Sequence, residues 1–186
     1  MSRITRVALA ATAGLAALAG TVTAVQADDT TTAKAAAPEV AVVQLQAAHS
    51  GQCLTIEKAS LRNGAGAVQS TCADGADNQL FEMAPTGDGT LEVRPAHSGK
   101  CLEVENSATN GGSTIQQWWC SGGGNMRWRP FLVDVAKDLY ELRPAHTTAP
   151  RCLDIKNGAT TDGANAQLYY CNGSAAQQWQ IKPAKV

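Results

Sequence analysis

The sequence predicts an all-β domain in which three similar repeats, with about twelve short strands, close into a barrel. A unit of some fifty residues occurs three times, at His49, His97 and His146, so the copies start 48 and 49 residues apart. A period of this length is typical of repeat architectures. Each copy alternates short apolar runs with turn residues, which favours strands over helices. Three equivalent units around an axis can close a sheet and leave no edge exposed.

The first 27 residues are typical of a secretory signal peptide. Arg3 and Arg6 give a positive start, residues 7–20 form a nearly continuous apolar run, and small residues precede a cleavage point at Ala27. The apolar run is shorter than the roughly 20 residues that a membrane-spanning helix needs. We therefore expect an exported chain whose mature form begins near Asp28.

Residues 28–40 are rich in Ala and Thr and contain no aromatic residue. Such a segment cannot bury enough apolar surface to offset its ordering entropy, so we predict a disordered linker and a folded domain at 41–186. Removing Arg3 and Arg6 leaves 13 basic against 16 acidic residues, a net charge of −3. This mild charge, with no basic cluster along the sequence, predicts neither a nucleic acid nor an anionic membrane as partner.

The six cysteines predict three disulfides. An even number of cysteines in an exported chain indicates disulfide bonding, and a bridge inside one repeat must be available in all three. The two cysteines of each copy are 19 residues apart. Each bridge should stabilise its repeat by roughly 3 kcal/mol in the chain-entropy model. The predicted pairs are Cys53–Cys72, Cys101–Cys120 and Cys152–Cys171.

The second copy illustrates the four strands expected in each repeat. Apolar residues alternate at 91–95, 101–105, 114–120 and 128–133. The "NGG" at Asn110 separates two of these runs, and Gly supplies the positive φ that tight turns need. The equivalent turns are at residues 63–64 and 162–163.

The chain resembles ricin B-type β-trefoil lectin domains, similar to the carbohydrate-binding modules of bacterial xylanases. The resemblance covers roughly residues 42–183 and rests on the threefold repeat, on the paired cysteines around "CL-x-[VI]", and on closing motifs of the Q-x-W type, "NQLF", "NMRW" and "QQW". It implies a β-trefoil with one shallow sugar site per repeat. In such a site a carboxylate after "CL" accepts charge-assisted hydrogen bonds from sugar hydroxyls. An aromatic two residues before the second Cys stacks on the sugar, and nearby amides complete the contacts.

The third copy matches this implied site best. Asp154 follows "CL", Tyr169 stands two residues before Cys171, and Asn172 and Gln177 supply amides. Ala176 departs from the pattern, because the family usually has an Asn there. Losing that contact should cost on the order of 1 kcal/mol, so we expect weak binding.

The second copy offers a possible second carbohydrate site at Glu103, Trp118 and Asn125. Its Glu reaches one methylene further than an Asp. Met126 stands where the motif has Gln, and a thioether cannot form the paired hydrogen bonds of an amide. We expect an intact fold here with altered or lost sugar specificity.

The first copy should not bind sugar. Thr55 occupies the carboxylate position, and Ser70 and Thr71 precede Cys72 without an aromatic ring. The copy keeps scaffold residues: Cys53, Cys72, Gln79 and Phe81.

The remaining aromatic residues are expected to pack. Trp118 and Trp119 are adjacent, so in a strand they face opposite ways and one of them should be buried. The same holds for Tyr169 and Tyr170. The aromatic residues that close the three copies are expected in the core: Phe81, Trp128 and Trp179.

The three repeated histidines raise the alternative of a zinc site, since zinc accepts three His ligands. Equivalent positions in a threefold barrel lie on separate repeats far from the axis. We therefore predict no metal site and no cofactor.

These observations favour a secreted, non-catalytic lectin that recognises galactose- or xylose-type sugars on a polysaccharide or glycoconjugate, mainly through its third repeat. The alternative is an interaction or inhibitor module on a trefoil scaffold whose sugar sites have degenerated, as Thr55, Ser70, Met126 and Ala176 suggest. A hydrolase is disfavoured, because glycoside hydrolysis needs two facing carboxylates and no motif supplies such a pair.

Overall fold

The structure is a computed structural model that describes residues 40–184. The predicted signal peptide and almost all of the predicted linker lie outside the described residues. The domain contains twelve strands. They are β1 (Ala41–Ala47), β2 (Cys53–Ile56), β3 (Ala65–Ser70), β4 (Phe81–Pro85), β5 (Leu91–Pro95), β6 (Cys101–Val104), β7 (Ser113–Trp118), β8 (Arg127–Asp134), β9 (Leu139–Pro144), β10 (Arg151–Ile155), β11 (Ala166–Tyr170) and β12 (Trp179–Pro183).

Six strands form a closed antiparallel barrel. Around it β1 pairs with β4, β4 with β5, β5 with β8, β8 with β9, β9 with β12, and β12 again with β1. The remaining strands form three hairpins, β2–β3, β6–β7 and β10–β11, which pair with one another at one end of the barrel. This arrangement of a barrel and three hairpins is the predicted β-trefoil with pseudo-threefold symmetry.

The core is built from equivalent positions of the three repeats. Phe81, Trp128 and Trp179 are fully buried, which confirms that the closing aromatic residues pack inside. The Trp128 indole N–H donates to the carbonyl of Leu102, and the Trp179 indole N–H donates to the carbonyl of Leu153. These bonds tie the start of the fourth strand of a repeat to its hairpin, since buried indole N–H groups need an acceptor.

Each repeat is closed by one disulfide, as predicted: Cys53–Cys72, Cys101–Cys120 and Cys152–Cys171. Each repeat also has a turn that ends on a glycine with positive φ, eleven residues after the first cysteine of the pair. These glycines are Gly64 (φ 79°), Gly112 (φ 92°) and Gly163 (φ 81°). Side chains other than hydrogen are strained at such φ values, which explains why the three turns share this residue.

In the described part of the chain, six short 3₁₀ helices complete the fold, two in each repeat. The first of each pair follows the second strand and contains a residue with positive φ: Lys58, Asn106 or Asn157. The second precedes the closing aromatic residue. Among residues 40–184, no helix has the length and hydrophobicity of a membrane span.

Candidate functional site

The third repeat places a buried carboxylate in a cleft of about 610 Å³. Asp154 on β10 lies directly opposite Gln167 on β11, and Gln167 Nε2 donates to Asp154 Oδ1 at 2.7 Å. Burial raises the pKa of Asp154, while the amides of Gln167 and Gln177 and the nearby His49 partly oppose this rise. Among the described residues that line the cleft, Asp154 is the only carboxylate.

An aromatic wall stands beside this carboxylate. Tyr169 lines the cleft and packs edge to face against Tyr170, with ring centroids 5.6 Å apart. Both rings rest on Gly111 of the second repeat, where a Cβ would lie 2.8 Å from the Tyr170 ring and 3.2 Å from the Tyr169 ring. The turn of one repeat therefore supports the aromatic residues of the next.

The predicted packing of one residue in each aromatic pair was wrong. Tyr169 and Tyr170 are 39% and 53% exposed, and Trp118 and Trp119 are 41% and 65% exposed. The rule of alternating faces applies inside a strand, but β7 ends at Trp118 and β11 ends at Tyr170. At these strand ends the second ring turns outward and a cation covers it: Lys100 lies 3.9 Å from the Trp119 ring centroid.

The amide side chains of the third repeat divide into two groups. Asn172 and Asn157 are exposed and line the cleft. Gln177 is 0% exposed and is not among the lining residues. Its Oε1 accepts from the Asn172 N–H at 2.8 Å, and its Nε2 donates to the Tyr170 carbonyl at 2.8 Å. Gln177 therefore holds the backbone on both sides of Cys171 and does not present an amide to the cleft.

The second repeat forms a smaller cleft of about 410 Å³, lined by Glu103, Trp118 and Asn125. Both oxygens of its carboxylate have internal donors. Gln116 Nε2 donates to Glu103 Oε1 at 2.9 Å, and Asn125 Nδ2 donates to Glu103 Oε2 at 3.0 Å. Met126 Sδ accepts weakly from the Ser121 N–H at 3.4 Å, in the place where Gln177 uses an amide oxygen. The fold is intact here, and each oxygen of the carboxylate already accepts one internal hydrogen bond.

The first repeat has neither group. Thr55 lies opposite Val68, and its hydroxyl donates to the carbonyl of Cys53 in its own strand. Ser70 stands at the position of Tyr169 and Trp118, and the next residue, Thr71, donates its N–H to Asp162 of the third repeat at 2.8 Å. The first repeat therefore has no aromatic wall, and its Thr71 makes a contact with the third repeat instead.

Comparison with protein families gives the same assignment. The sequence model described as "Ricin-type beta-trefoil lectin domain-like" matches residues 30–118, 78–169 and 128–185, and so covers most of the chain. The chain belongs to this lectin family. Carbohydrate binding is the general function that the family and its lectin relatives support.

Solved structures share the fold of this ricin-type lectin. ThreeFoil, a designed 3-fold symmetric protein, is 38% identical over 76% of this chain and 97% of its own, with a TM-score of 0.71. The exo-beta-1,3-galactanase 1,3Gal43A from Clostridium thermocellum is 24% identical over 80% of this chain, with a TM-score of 0.73, and the match spans 31% of that enzyme. The Macrolepiota procera ricin B-like lectin, solved with lactose, is 17% identical over 76% of this chain and 94% of its own, with a TM-score of 0.65. No curated protein matches in sequence.

The three histidines of the lectin domain tie neighbouring repeats together. His97 Nε2 hydrogen-bonds the carbonyl of Ser60 at 3.0 Å, and His146 Nε2 that of Ala108 at 2.9 Å. His49 closes the circle by bonding the carbonyl of Ala159 in the third repeat at 2.8 Å. The structure thus places each histidine on a different turn. Two Glu-Cys-Cys groups in the described part of the chain also bring ligand atoms together, but their sulfurs are joined in disulfides.

Sequence reasoning missed several residues that line the third cleft, among them His49, Asn157 and Gln167. Gln167 stands two residues before Tyr169 in the same strand, so the period of two places both side chains on one face. The same spacing joins Gln116 to Trp118, and this repetition was the available signal. His49 belongs to another repeat, and only the closure of the barrel brings it to the cleft.

Proposed function

We propose that the chain is a secreted, non-catalytic lectin whose third repeat binds a galactose- or xylose-type sugar. The observation that carries this proposal is the geometry of Asp154. Gln167 donates a hydrogen bond to one oxygen of the Asp154 carboxylate. In the second repeat Asn125 donates to the equivalent carboxylate, but the third repeat has Ala176 at that position, which has no side-chain donor. The carboxylate can therefore accept hydrogen bonds from sugar hydroxyls, and ionised acceptors make bonds roughly twice as strong as neutral ones.

The wall and rim of the cleft suit a pyranose ring. The exposed face of Tyr169 can stack on the apolar C–H side of a sugar, and the amides of Asn157 and Asn172 lie where further hydroxyls would need partners. Gln177 fixes the loop that carries Asn172, and its amide also stabilises the ionised form of Asp154. The lactose bound to the Macrolepiota procera lectin and the galactan-degrading activity of the Clostridium thermocellum relative support a galactose-type unit.

A non-catalytic role agrees with the single carboxylate of the cleft, because glycoside hydrolysis uses two. Three disulfides and the trefoil lectin fold are consistent with an extracellular protein. Polysaccharides and glycoconjugates are the expected partners. With one open site the gain from multivalent attachment is small.

The proposal is tested by titrating the purified protein with lactose, methyl β-xyloside and soluble xylan while NMR follows the Tyr169 and Trp118 rings. We expect saturable shifts at Tyr169 in the millimolar range and their loss in Asp154→Asn. Glu103→Gln is the matched control and should leave the Tyr169 shifts unchanged. Absence of any shift at Tyr169 with all three sugars would overturn the proposal, and release of reducing sugar from xylan would overturn the non-catalytic role.

An interaction or inhibitor module is the second candidate, because two of the three carboxylate positions are closed or absent. The two functions separate in one variant. Asp154→Ala should abolish retention on immobilised glycans if the chain is a lectin. Binding to a protein partner that survives in this variant would favour the second candidate.

A further inference from the structure

A small pocket of about 140 Å³ lies beside the β8–β9 hairpin and shares no lining residue with the sugar cleft. Three arginines line it: Arg129 on β8, Arg143 on β9 and Arg151 on β10. They are separated by 14 and 8 residues in the chain, so they do not form a basic cluster that could be recognised in the sequence. The fold brings them together.

The other wall of the pocket is the feature that distinguishes the third repeat in sequence. Between the histidine and the first cysteine this repeat has two residues more than the other two repeats. The extended segment, residues 147–150, lines the pocket. The other repeats close the same turn with Gly51 and Gly99, both at positive φ. The trefoil does not need the longer segment, so its place in the pocket calls for another explanation.

Two of the three arginines face each other across a pair of strands. Arg129 and Arg143 are directly opposite each other on paired strands. The equivalent pair at the junction of the first and second repeats is Glu82 opposite Arg94, which has complementary charges, and at the remaining junction it is Gln46 opposite Gln180. Like charges at directly opposite positions destabilise a sheet, whereas opposite charges stabilise it. The junction of the second and third repeats thus has two like charges where the junction of the first and second has opposite charges.

Neighbouring groups hold two of the three guanidinium groups in place, but they do not neutralise the net positive charge around the pocket. Arg143 donates from Nε and Nη2 to Glu141 Oε2 at 3.0 and 2.6 Å, and lies 4.2 Å from the Phe131 ring centroid. Arg151 Nε donates to the carbonyl of Thr109 at 2.9 Å, and its guanidinium lies over Tyr170. Among the described residues neither Arg129 nor Arg151 forms an ion pair. Three cations therefore surround the pocket against the single carboxylate of Glu141.

We propose that this pocket binds a small oxyanion, a sulfate or carboxylate group, either free or carried by an acidic sugar. Guanidinium groups recognise such groups through planar, charge-assisted hydrogen bonds. An anion between Arg129 and Arg143 removes their repulsion, and the fixed positions of Arg143 and Arg151 reduce the entropy lost on binding. The pocket is much smaller than the sugar cleft, which suits a substituent rather than a whole ring.

The test is an NMR titration of the arginine Nε–H signals. Sodium sulfate is compared with sodium chloride at equal ionic strength, and glucose 6-sulfate and glucuronate are compared with glucose. We expect saturable shifts at Arg143 and Arg151 with sulfate or with the acidic sugars, and none with chloride or glucose. Shifts with sulfate alone would indicate a free anion as the ligand, and shifts with the acidic sugars alone would indicate an acidic sugar. Either result supports the site.

Arg129→Gln should weaken anion binding by about tenfold, since a hydrogen bond to a charged group is lost. Arg94→Gln removes the arginine that corresponds to Arg143 in the equivalent strand pair β4–β5, outside the pocket; it is the control and should have no effect. Arg129→Glu recreates the complementary pair and should abolish anion binding while the melting temperature stays equal or rises, which excludes misfolding as the cause. Shifts that do not saturate, that chloride or glucose reproduces, or that persist in Arg129→Glu would overturn the proposal. The sugar titration of the Tyr169 cleft is independent of all these outcomes.

Discussion

The second and third repeats share one arrangement of hydrogen bonds around a carboxylate but form different sites. In both, a carboxylate on the second strand is held by a Gln directly opposite on the third: Glu103 by Gln116, and Asp154 by Gln167. In the second repeat Asn125 also donates to the carboxylate, whereas the third has Ala176 in that place. The comparison teaches that one amide, and not the carboxylate itself, decides how much of the acceptor remains available for a ligand.

The largest effect is expected from Gln167→Val. This change gives the third repeat the valine that the first repeat has at the equivalent position, Val68. Asp154 loses its principal donor, so its pKa should rise further and the free energy of unfolding at neutral pH should fall by about 1–3 kcal/mol. Lactose affinity should drop by about tenfold as the carboxylate loses its orientation. Urea unfolding and a lactose titration measure both effects.

The control is Gln116→Val, where Asn125 still donates to Glu103. This variant should lose less stability than Gln167→Val and should keep lactose binding. Equal losses in the two variants would contradict the distinction between the repeats.

Replacing the aromatic wall should have a smaller effect on binding. Tyr169→Ser introduces the residue found at position 70 of the first repeat and removes the stacking surface, at a cost of roughly threefold to tenfold in lactose affinity. Trp118→Ser makes the same change in the second repeat. If the serine at position 118 weakens lactose binding more than the serine at 169, the second repeat is the principal site.

Ala176→Asn should make the third repeat resemble the second. The new amide can donate to Asp154 and to the carbonyl of Ile155, as Asn125 does to Glu103 and Val104. We expect a lower pKa for Asp154 and an increase of about 1 kcal/mol in the free energy of unfolding at neutral pH. Carboxyl ¹³C titration and urea unfolding check the two effects. An unchanged pKa would show that the amide does not reach the carboxylate.

The pH dependence of stability should be the smallest effect. Because burial raises the pKa of Asp154 in the folded state, folding takes up a proton there, and stability falls as the pH rises through the folded pKa. Asp154→Asn should therefore be at least as stable as the parent at neutral pH, and the difference should vanish below the ordinary Asp range. Lactose binding should weaken on acidification at a higher pH than an exposed Asp would give. A variant less stable than the parent at neutral pH would contradict this sign.

The sequence predicted the trefoil and its disulfides because these features repeat. Cysteines at a constant separation, a glycine at each turn and a closing aromatic residue recur in register, so three weak signals reinforce one another. The proposed contacts of Asp154 and Tyr169 rest on the same register. They remain predictions until a ligand is titrated.

Other features could not be predicted because they depend on contacts between repeats or on strand ends. Trp119 lies just beyond β7 and Tyr170 is the last residue of β11, so the core covers neither ring, and His49 reaches the third cleft only through barrel closure. Gln177 was expected at the ligand, but its amide is used by the backbone around Cys171. The three arginines of the proposed anion pocket lie on three strands, and their proximity follows from pairing that no local pattern encodes.

The pairing of β1 with β12 brings the two ends of the described chain side by side. Val43 lies opposite Pro183, and the Ala184 N–H donates to the carbonyl of Val42. A circularly permuted gene could therefore join these ends with a short linker and open the chain at the exposed β8–β9 turn. Every disulfide would keep its partners, and the order in which the ribosome delivers the repeats would become an experimental variable separate from the architecture they build.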